Sequence, residues 1–139
     1  MKILIICSNL IGDTILSTGV FNNLANKYQN AKFTFVIGPT AKPILKNYNN
    51  IEKIITINKQ KYNLHWVEVL RKTYNSKWDI VIDLRSSLLS FFLQKNKKYV
   101  FSKTKNIHHV DQLSKSLGFD CSSLSIKASA EEDYEVKKV

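Results

Sequence analysis

Two places in the chain carry side chains whose types and spacing suit chemistry. The first is the turn after the apolar run at residues 2–6, where polar Ser8 and Asn9 lead into Gly12 and Asp13. A glycine there permits close backbone approach or a positive φ. A carboxylate at the start of a helix has two uses. It can cap the helix, favoured by hydrogen bonding and the helix dipole. Beside a ligand cleft it can instead act as a general base, taking a proton from a sugar hydroxyl. One residue can do both. The turn carries neither the GxGxxG of a dinucleotide site nor the Gly-Lys-Ser/Thr of a phosphate-binding loop, so it does not read as a nucleotide cradle.

The second place is the end of the run WDIVIDL, where Asp83 precedes Arg85 and Ser86. An arginine there can hold a carboxylate or phosphate through two parallel hydrogen bonds, or it can close an internal pair with Asp83. His108 and His109 are adjacent. On a helix they point about 100° apart and do not face one ligand together. No further ligands at metal-binding spacing stand near them, so neither a metal nor a cofactor is expected.

The elements that must position these residues follow from the apolar pattern. Runs at 2–6, 32–37, 53–57 and 78–84 read as strands, with a weaker one at 98–101. Helical spacing marks 13–27, a short piece at 40–47 capped by Thr40, 64 to about 74, the stretch LLSFFL, and 110–117 closed by Gly118. Strands alternating with helices predict an α/β fold: a three-layer, Rossmann-like domain with a mostly parallel sheet. In such a sheet ligands collect where strand ends meet helix starts, which is where Asp13 and Arg85 fall. Trp66, Trp78, Phe91 and Phe92 read as core or cleft-rim packing. After Gly118 the pattern fades, and residues 123–139 read as a charged tail.

Composition narrows the class. The 139 residues are 44% hydrophobic, enough for one domain with a real core. No run approaches the roughly 20 apolar residues of a membrane span, and the N-terminus lacks the pattern of a secretory signal. Two distant cysteines, Cys7 and Cys121, suit free thiols in a reducing cytoplasm. Charge is uneven: of the net +10, residues 42–105 alone carry +10, residues 1–41 carry +2 and residues 106–139 carry −2. That segment, with its run KNKKYVFSKTK, predicts an anionic partner such as a phosphorylated sugar or an anionic membrane face.

The stretch CSNLIGDTILSTGVFNNLANKYQNAKFTFVIGP resembles the opening of the lipopolysaccharide heptosyltransferases, glycosyltransferase family 9. NIEKIITIN, WDIVIDLRSSLLSFFL and HHVDQLSKSLGF continue the likeness in order, over about residues 1–120. It departs from that family at Cys7, where a basic residue is common, at Gly19, which replaces a proline, and at Arg85-Ser86, which replaces Gln-Gly. The resemblance implies the N-terminal half of a GT-B arrangement, with residues 1–122 as the acceptor-side domain and 123–139 as the start of a linker to a donor-binding half. It implies Asp13 as catalytic base and His108 as a polar contact in the cleft; the positions of Ser8, Asn9 and Gly12 in the first turn and of Asp83, Arg85 and Ser86 at the strand end make them the expected acceptor contacts beside these. It further implies an anionic glycolipid acceptor of the lipid A–core type, a separately encoded donor half, and a peripheral contact with the inner face of the cytoplasmic membrane. Donor nucleotide and acceptor must meet in one cleft, so a lone acceptor half is expected to be inactive. The competing expectation is a basic flavodoxin-like module for nucleic acid or another anion. Nucleic acid is disfavoured, because the chain has no aromatic–basic stacking platform and no nucleic-acid motif.

Overall fold

The computed structural model describes residues 1–58, 64–101, 107–118 and 120–122. Five strands form one sheet: β1 (Lys2–Ile6), β2 (Lys32–Ile37), β3 (Ile51–Thr56), β4 (Trp78–Asp83) and β5 (Lys95–Val100). Their order is β3-β2-β1-β4-β5, and every pair is parallel. Helices α1 (Ile11–Leu16), α2 (Thr18–Lys27), α3 (Leu64–Thr73), α4 (Leu89–Phe92) and α5 (His109–Leu117) join them. The architecture is the three-layer Rossmann-like fold the sequence predicts. Strands of a parallel sheet are covered on both faces, so their apolar runs are continuous. In β1, Ile3 and Ile5 enter the core with Phe21, Leu24, Phe35 and Leu113, while Leu4 and Ile6 enter the opposite one with Val69, Val81 and Leu89.

Four local expectations are corrected. The single helix at 13–27 is two, α1 and α2, broken at Ser17. Hydroxyls account for the break. Thr14 Oγ1 donates to the Leu10 carbonyl (3.0 Å), Ser17 Oγ to that of Asp13 (2.8 Å) and Thr18 Oγ1 to that of Ile15 (2.7 Å), a pattern that bends helices. The first helix begins at Ile11 behind Leu10, so Asp13 sits inside the first turn and is not its cap. Thr40 does not cap a helix either: a 3₁₀ turn, Lys42–Leu45, follows Ala41, and Thr40 Oγ1 instead donates to the Asn9 carbonyl at 3.3 Å. Strand β5 starts three residues earlier than the weak run suggested. It is a sheet edge and carries Lys95, Lys97 and Lys98 instead of apolar residues, which guards an open edge.

Gly118 closes α5 at φ 72° as expected, and residues 120–122 come after it. There the chain turns back onto α2. The Cys121 amide donates to Ser114 Oγ (2.9 Å), Asn23 Nδ2 donates to the Asp120 carbonyl (3.1 Å), and Cys121 is fully buried. A Cβ on Gly19 would stand 1.8 Å from the Cys121 carbonyl oxygen, so glycine is what lets this segment seat. Cys7 and Cys121 are both free and buried. The charged tail at 123–139 falls outside the described residues.

Candidate active site

From β1 the chain moves outward through β2 to β3, then returns to place β4 and β5 on the other flank of β1. The order therefore reverses between β1 and β4, and the loops leaving their C-terminal ends part around a crevice. The Leu84 amide donates to the Ile6 carbonyl (2.9 Å), so the ladder holds these two exits side by side. A cleft of about 260 Å³ opens there, lined by Ser8, Asp13, Ser17, Leu84, Arg85, Ser86, Phe101 and His109.

The two chemically active places of the sequence thus meet in one cavity. Ser8 Oγ donates to Asp13 Oδ2 at 3.1 Å and accepts from the Leu10 amide at 3.2 Å. That is the one hydrogen bond to the Asp13 carboxylate among the described residues. The carboxylate is half-buried on the cleft wall, oriented by Ser8 and open to a further donor.

Asp83 and Arg85 divide the work on the other wall. Asp83 is fully buried. Its Oδ1 accepts from the Arg85 amide (3.0 Å) and its Oδ2 from Ser87 Oγ (2.7 Å), which shapes the turn after β4. No ion pair joins it to Arg85 among the described residues, which removes the internal-pair alternative. The Arg85 guanidinium instead lies 5.0 Å over the Trp66 ring, with Nη1 buried and without a protein partner. A stacked guanidinium with an unengaged nitrogen is well set to hold an anion. Ser86 follows at φ 55°, a left-handed conformation that costs a non-glycine residue about 1–2 kcal/mol. Its hydroxyl donates to the Phe101 carbonyl, holding the turn against the end of β5.

Of the residues singled out from sequence, Ser8, Asp13, Arg85 and Ser86 line the cleft, while Asn9, Gly12, Asp83 and His108 do not. Asn9 packs against Gly38, where a Cβ would meet the Asn9 Cα at 3.0 Å; its Oδ1 is buried without a partner. Gly12 has neither a positive φ nor a close neighbour: nothing lies within 4 Å of where its Cβ would be. His108 is the exposed residue before α5, and its neighbour His109 is the one in the cleft, its ring 5.2 Å from that of Phe101. Ser17, Leu84, Phe101 and His109 were not foreseen. Among the described residues no three His, Cys, Asp or Glu side chains gather as metal ligands would.

A second, larger cavity of about 530 Å³ adjoins the first and shares Arg85 with it. Trp66, Val67, Leu70, Leu88, Leu89 and Phe92 make it mostly apolar. Nearby, burial pushes the Cys7 thiol well above its ordinary range, so this residue behind the cleft is an inert packing group.

The fold and this crevice define a Rossmann-like domain with a site at its strand-order reversal, and the same fold recurs in solved glycosyltransferases. A glycosyltransferase of family 9 from Veillonella parvula superposes with a TM-score of 0.67 at 20% identity, over 99% of this chain and 48% of that one. The E. coli heptosyltransferase WaaC, solved with ADP, gives 0.63 at 16% identity over 88% and 49%. E. coli ADP-heptose lipopolysaccharide heptosyltransferase II gives 0.58 at 16% identity over 99% and 50%. The chain spans about half the length of each of these proteins. No family model and no curated protein matches its sequence.

Proposed function

We infer that this chain is the acceptor-side domain of a heptosyltransferase-like glycosyltransferase. In this reading an acceptor sugar lies in the cleft between β1 and β4. Asp13 takes the proton of its attacking hydroxyl, and Arg85 holds an anionic group of the acceptor. The hydroxyl oxygen attacks the anomeric carbon of a nucleotide-activated heptose; the new glycosidic bond forms as the bond to the nucleoside diphosphate breaks, with inversion. Ser8 keeps the base in register, and Ser17, Ser86 and His109 offer polar contacts to sugar hydroxyls.

The observation that carries the proposal is the meeting of Asp13 and Arg85, 72 positions apart in the chain, in one cleft at the strand-order reversal. A base and an anion clamp on opposite walls are what an acidic sugar acceptor requires. The donor is assigned to a second Rossmann-like half, because the turn after β1 has no phosphate-cradling glycine pattern. Residues 1–122 then form the acceptor domain, with a lipid A–core type glycolipid as its substrate.

The test is transfer from a nucleotide-activated heptose to such an acceptor. The chain alone should give no turnover, and supplying a donor-binding half should restore it. Asp13→Ala should then lower the rate at least about 100-fold, the scale of lost general-base catalysis. Turnover by the chain alone, or full activity of Asp13→Ala in the completed enzyme, would overturn the assignment.

A further inference from the structure

The larger cavity has an apolar body and a cationic end. Helix α3 supplies Trp66 and Leu70, one turn apart on the same face, with Val67 beside them. Helix α4 supplies Leu89 and Phe92, and Leu88 precedes it. Since α4 is a single turn against the ten residues of α3, it does not cover that face, and the space between them stays open. The cavity holds about 530 Å³, within the roughly 300–1,000 Å³ of small-molecule sites. Leu89 is buried, whereas Val67, Leu88 and Phe92 are each more than half exposed, so an apolar occupant is stabilised by covering them.

The polar groups of the lining select the occupant. Arg85 is the only charged side chain in it, and the Ser87 hydroxyl is already committed, donating to Asp83 Oδ2 at 2.7 Å. The Arg85 guanidinium is stacked on Trp66 and makes no hydrogen bond or ion pair among the described residues, with Nη1 buried. Donors withdrawn from water without an acceptor are costly, and a carboxylate satisfies a guanidinium through two parallel N–H bonds. One cation in an otherwise uncharged lining matches one negative charge. Trp66 and Phe92 favour a flat ring system as the apolar body, since aromatic pairs gain beyond the area they bury.

We propose that this cavity is a binding site for a compact aryl carboxylate, separate from the acceptor cleft. The carboxylate sits on Arg85, and the rings lie between α3 and α4 against Trp66 and Phe92. Arg85 lines both cavities. A second anion on the same guanidinium would meet like charge at close range, so an occupant here withdraws the anion clamp from the polar cleft. The binding is independent of the transfer assignment, whereas the exclusion rests on Arg85 as the clamp of the acceptor's anionic group.

Calorimetry with the full chain tests it, using naphthoate as the probe and naphthylmethanol as its neutral counterpart. Naphthoate should bind, and naphthylmethanol at least about tenfold more weakly, the scale of a lost charge-assisted bond. Arg85→Gln should remove that preference for the anion. Phe92→Ser should weaken naphthoate about three- to tenfold with an unchanged melting temperature, because the ring is exposed. Phe92 lies outside the polar cleft, so the same variant should bind a hexose phosphate as the wild type does. Asp13→Asn should leave naphthoate binding unchanged, and bound naphthoate should lower the apparent affinity for hexose phosphate at least about tenfold. The proposal is overturned if naphthoate does not bind, if naphthylmethanol binds equally well, or if folded Phe92→Ser retains full affinity. Undiminished binding of both anions together overturns the exclusion. A free protein that ignores hexose phosphate overturns the clamp assignment and the exclusion with it, while naphthoate still decides the cavity.

Discussion

Replacing Gly19 by alanine gives a sharp test of the packing, because two effects of opposite sign compete. Gly19 lies inside α2, where alanine is ordinarily better by about 1 kcal/mol. Here the added methyl would stand 1.8 Å from the Cys121 carbonyl oxygen and 2.6 Å from its carbon. Both are backbone atoms, so no side-chain rotation relieves the overlap. Either α2 shifts within a packed core, or residues 120–122 leave their seat and expose Cys121, breaking the bonds to Ser114 and Asn23. Overpacking of this kind costs about 1–3 kcal/mol, and for an overlap this deep the upper part applies, so it outweighs the helical gain. The expected net loss is about 1–2 kcal/mol, or roughly 3–10 °C in melting temperature for a domain of this size. Thermal denaturation followed by circular dichroism measures the loss, and thiol alkylation locates it. In Gly19→Ala, Cys121 should react readily while Cys7, at the end of β1, stays protected. A variant that melts higher than the wild type, or one with Cys121 still protected at an unchanged melting temperature, would refute the docking of 120–122 on α2.

Ser86→Ala removes the hydroxyl bond to Phe101 and keeps the left-handed backbone, so it should lose about 1 kcal/mol. Ser86→Gly loses the same bond but relieves the backbone, and should melt close to the wild type; denaturant midpoints of the two variants check this. Arg85→Lys keeps the charge but gives up the stack on Trp66 and the two-pronged geometry. It should weaken binding of a phosphorylated sugar about tenfold by calorimetry, with no change in fold. Stability should fall in alkali. Below pH 9.0, the ordinary value for a thiol, Cys7 is protonated folded or unfolded; above it the unfolded thiol ionises and the buried one does not. Tyr48 adds to the fall between 10.0 and about 12, where burial pushes it up. Each group contributes up to about 1.4 kcal/mol per pH unit in its window, and Cys7→Ala should flatten the first part of the decline, seen in urea midpoints.

The fold was legible wherever burial is two-sided. Strands β1, β2 and β4 are covered on both faces, so their apolar runs are unbroken and their positions could be read directly. Strand β5 is an edge, and its lysines answer to solvent rather than to a core, which hid its first three residues. The break at Ser17 escaped for a different reason. The apolar spacing of α1 and α2 is nearly continuous, and the interruption comes from the Thr14, Ser17 and Thr18 hydroxyls competing for backbone carbonyls, which apolar periodicity does not register. Phe91 and Phe92 read as core or cleft-rim packing, and the structure leaves both exposed with Phe92 lining the larger cavity; spacing tells which residues share a face but not whether anything covers it.

The site divides along the same line. Asp13 and Arg85 were legible because both fall in connections that leave the C-terminal ends of strands, Arg85 just past β4 and Asp13 in the first turn of α1, and a parallel sheet gathers such positions at one edge. What each acid does there is decided by distances the sequence does not carry. Asp13 and Asp83 are the same residue type near neighbouring strand ends, Asp13 in the first turn of α1 and Asp83 as the last residue of β4. Yet Asp83 is fully buried with both oxygens committed to its own turn, whereas Asp13 takes a single bond from Ser8 and keeps a face toward the cleft. The histidines show the same limit in helical phase. His108 and His109 differ by one position, and the start of α5 at His109 puts the second in the cleft and leaves the first exposed. The consequence for the proposed chemistry is specific. Asp83 holds Arg85 in place through the backbone amide and touches no acceptor. Asp83→Asn should therefore disturb anion binding and stability together, while Asp13→Asn should remove proton transfer and leave both unchanged.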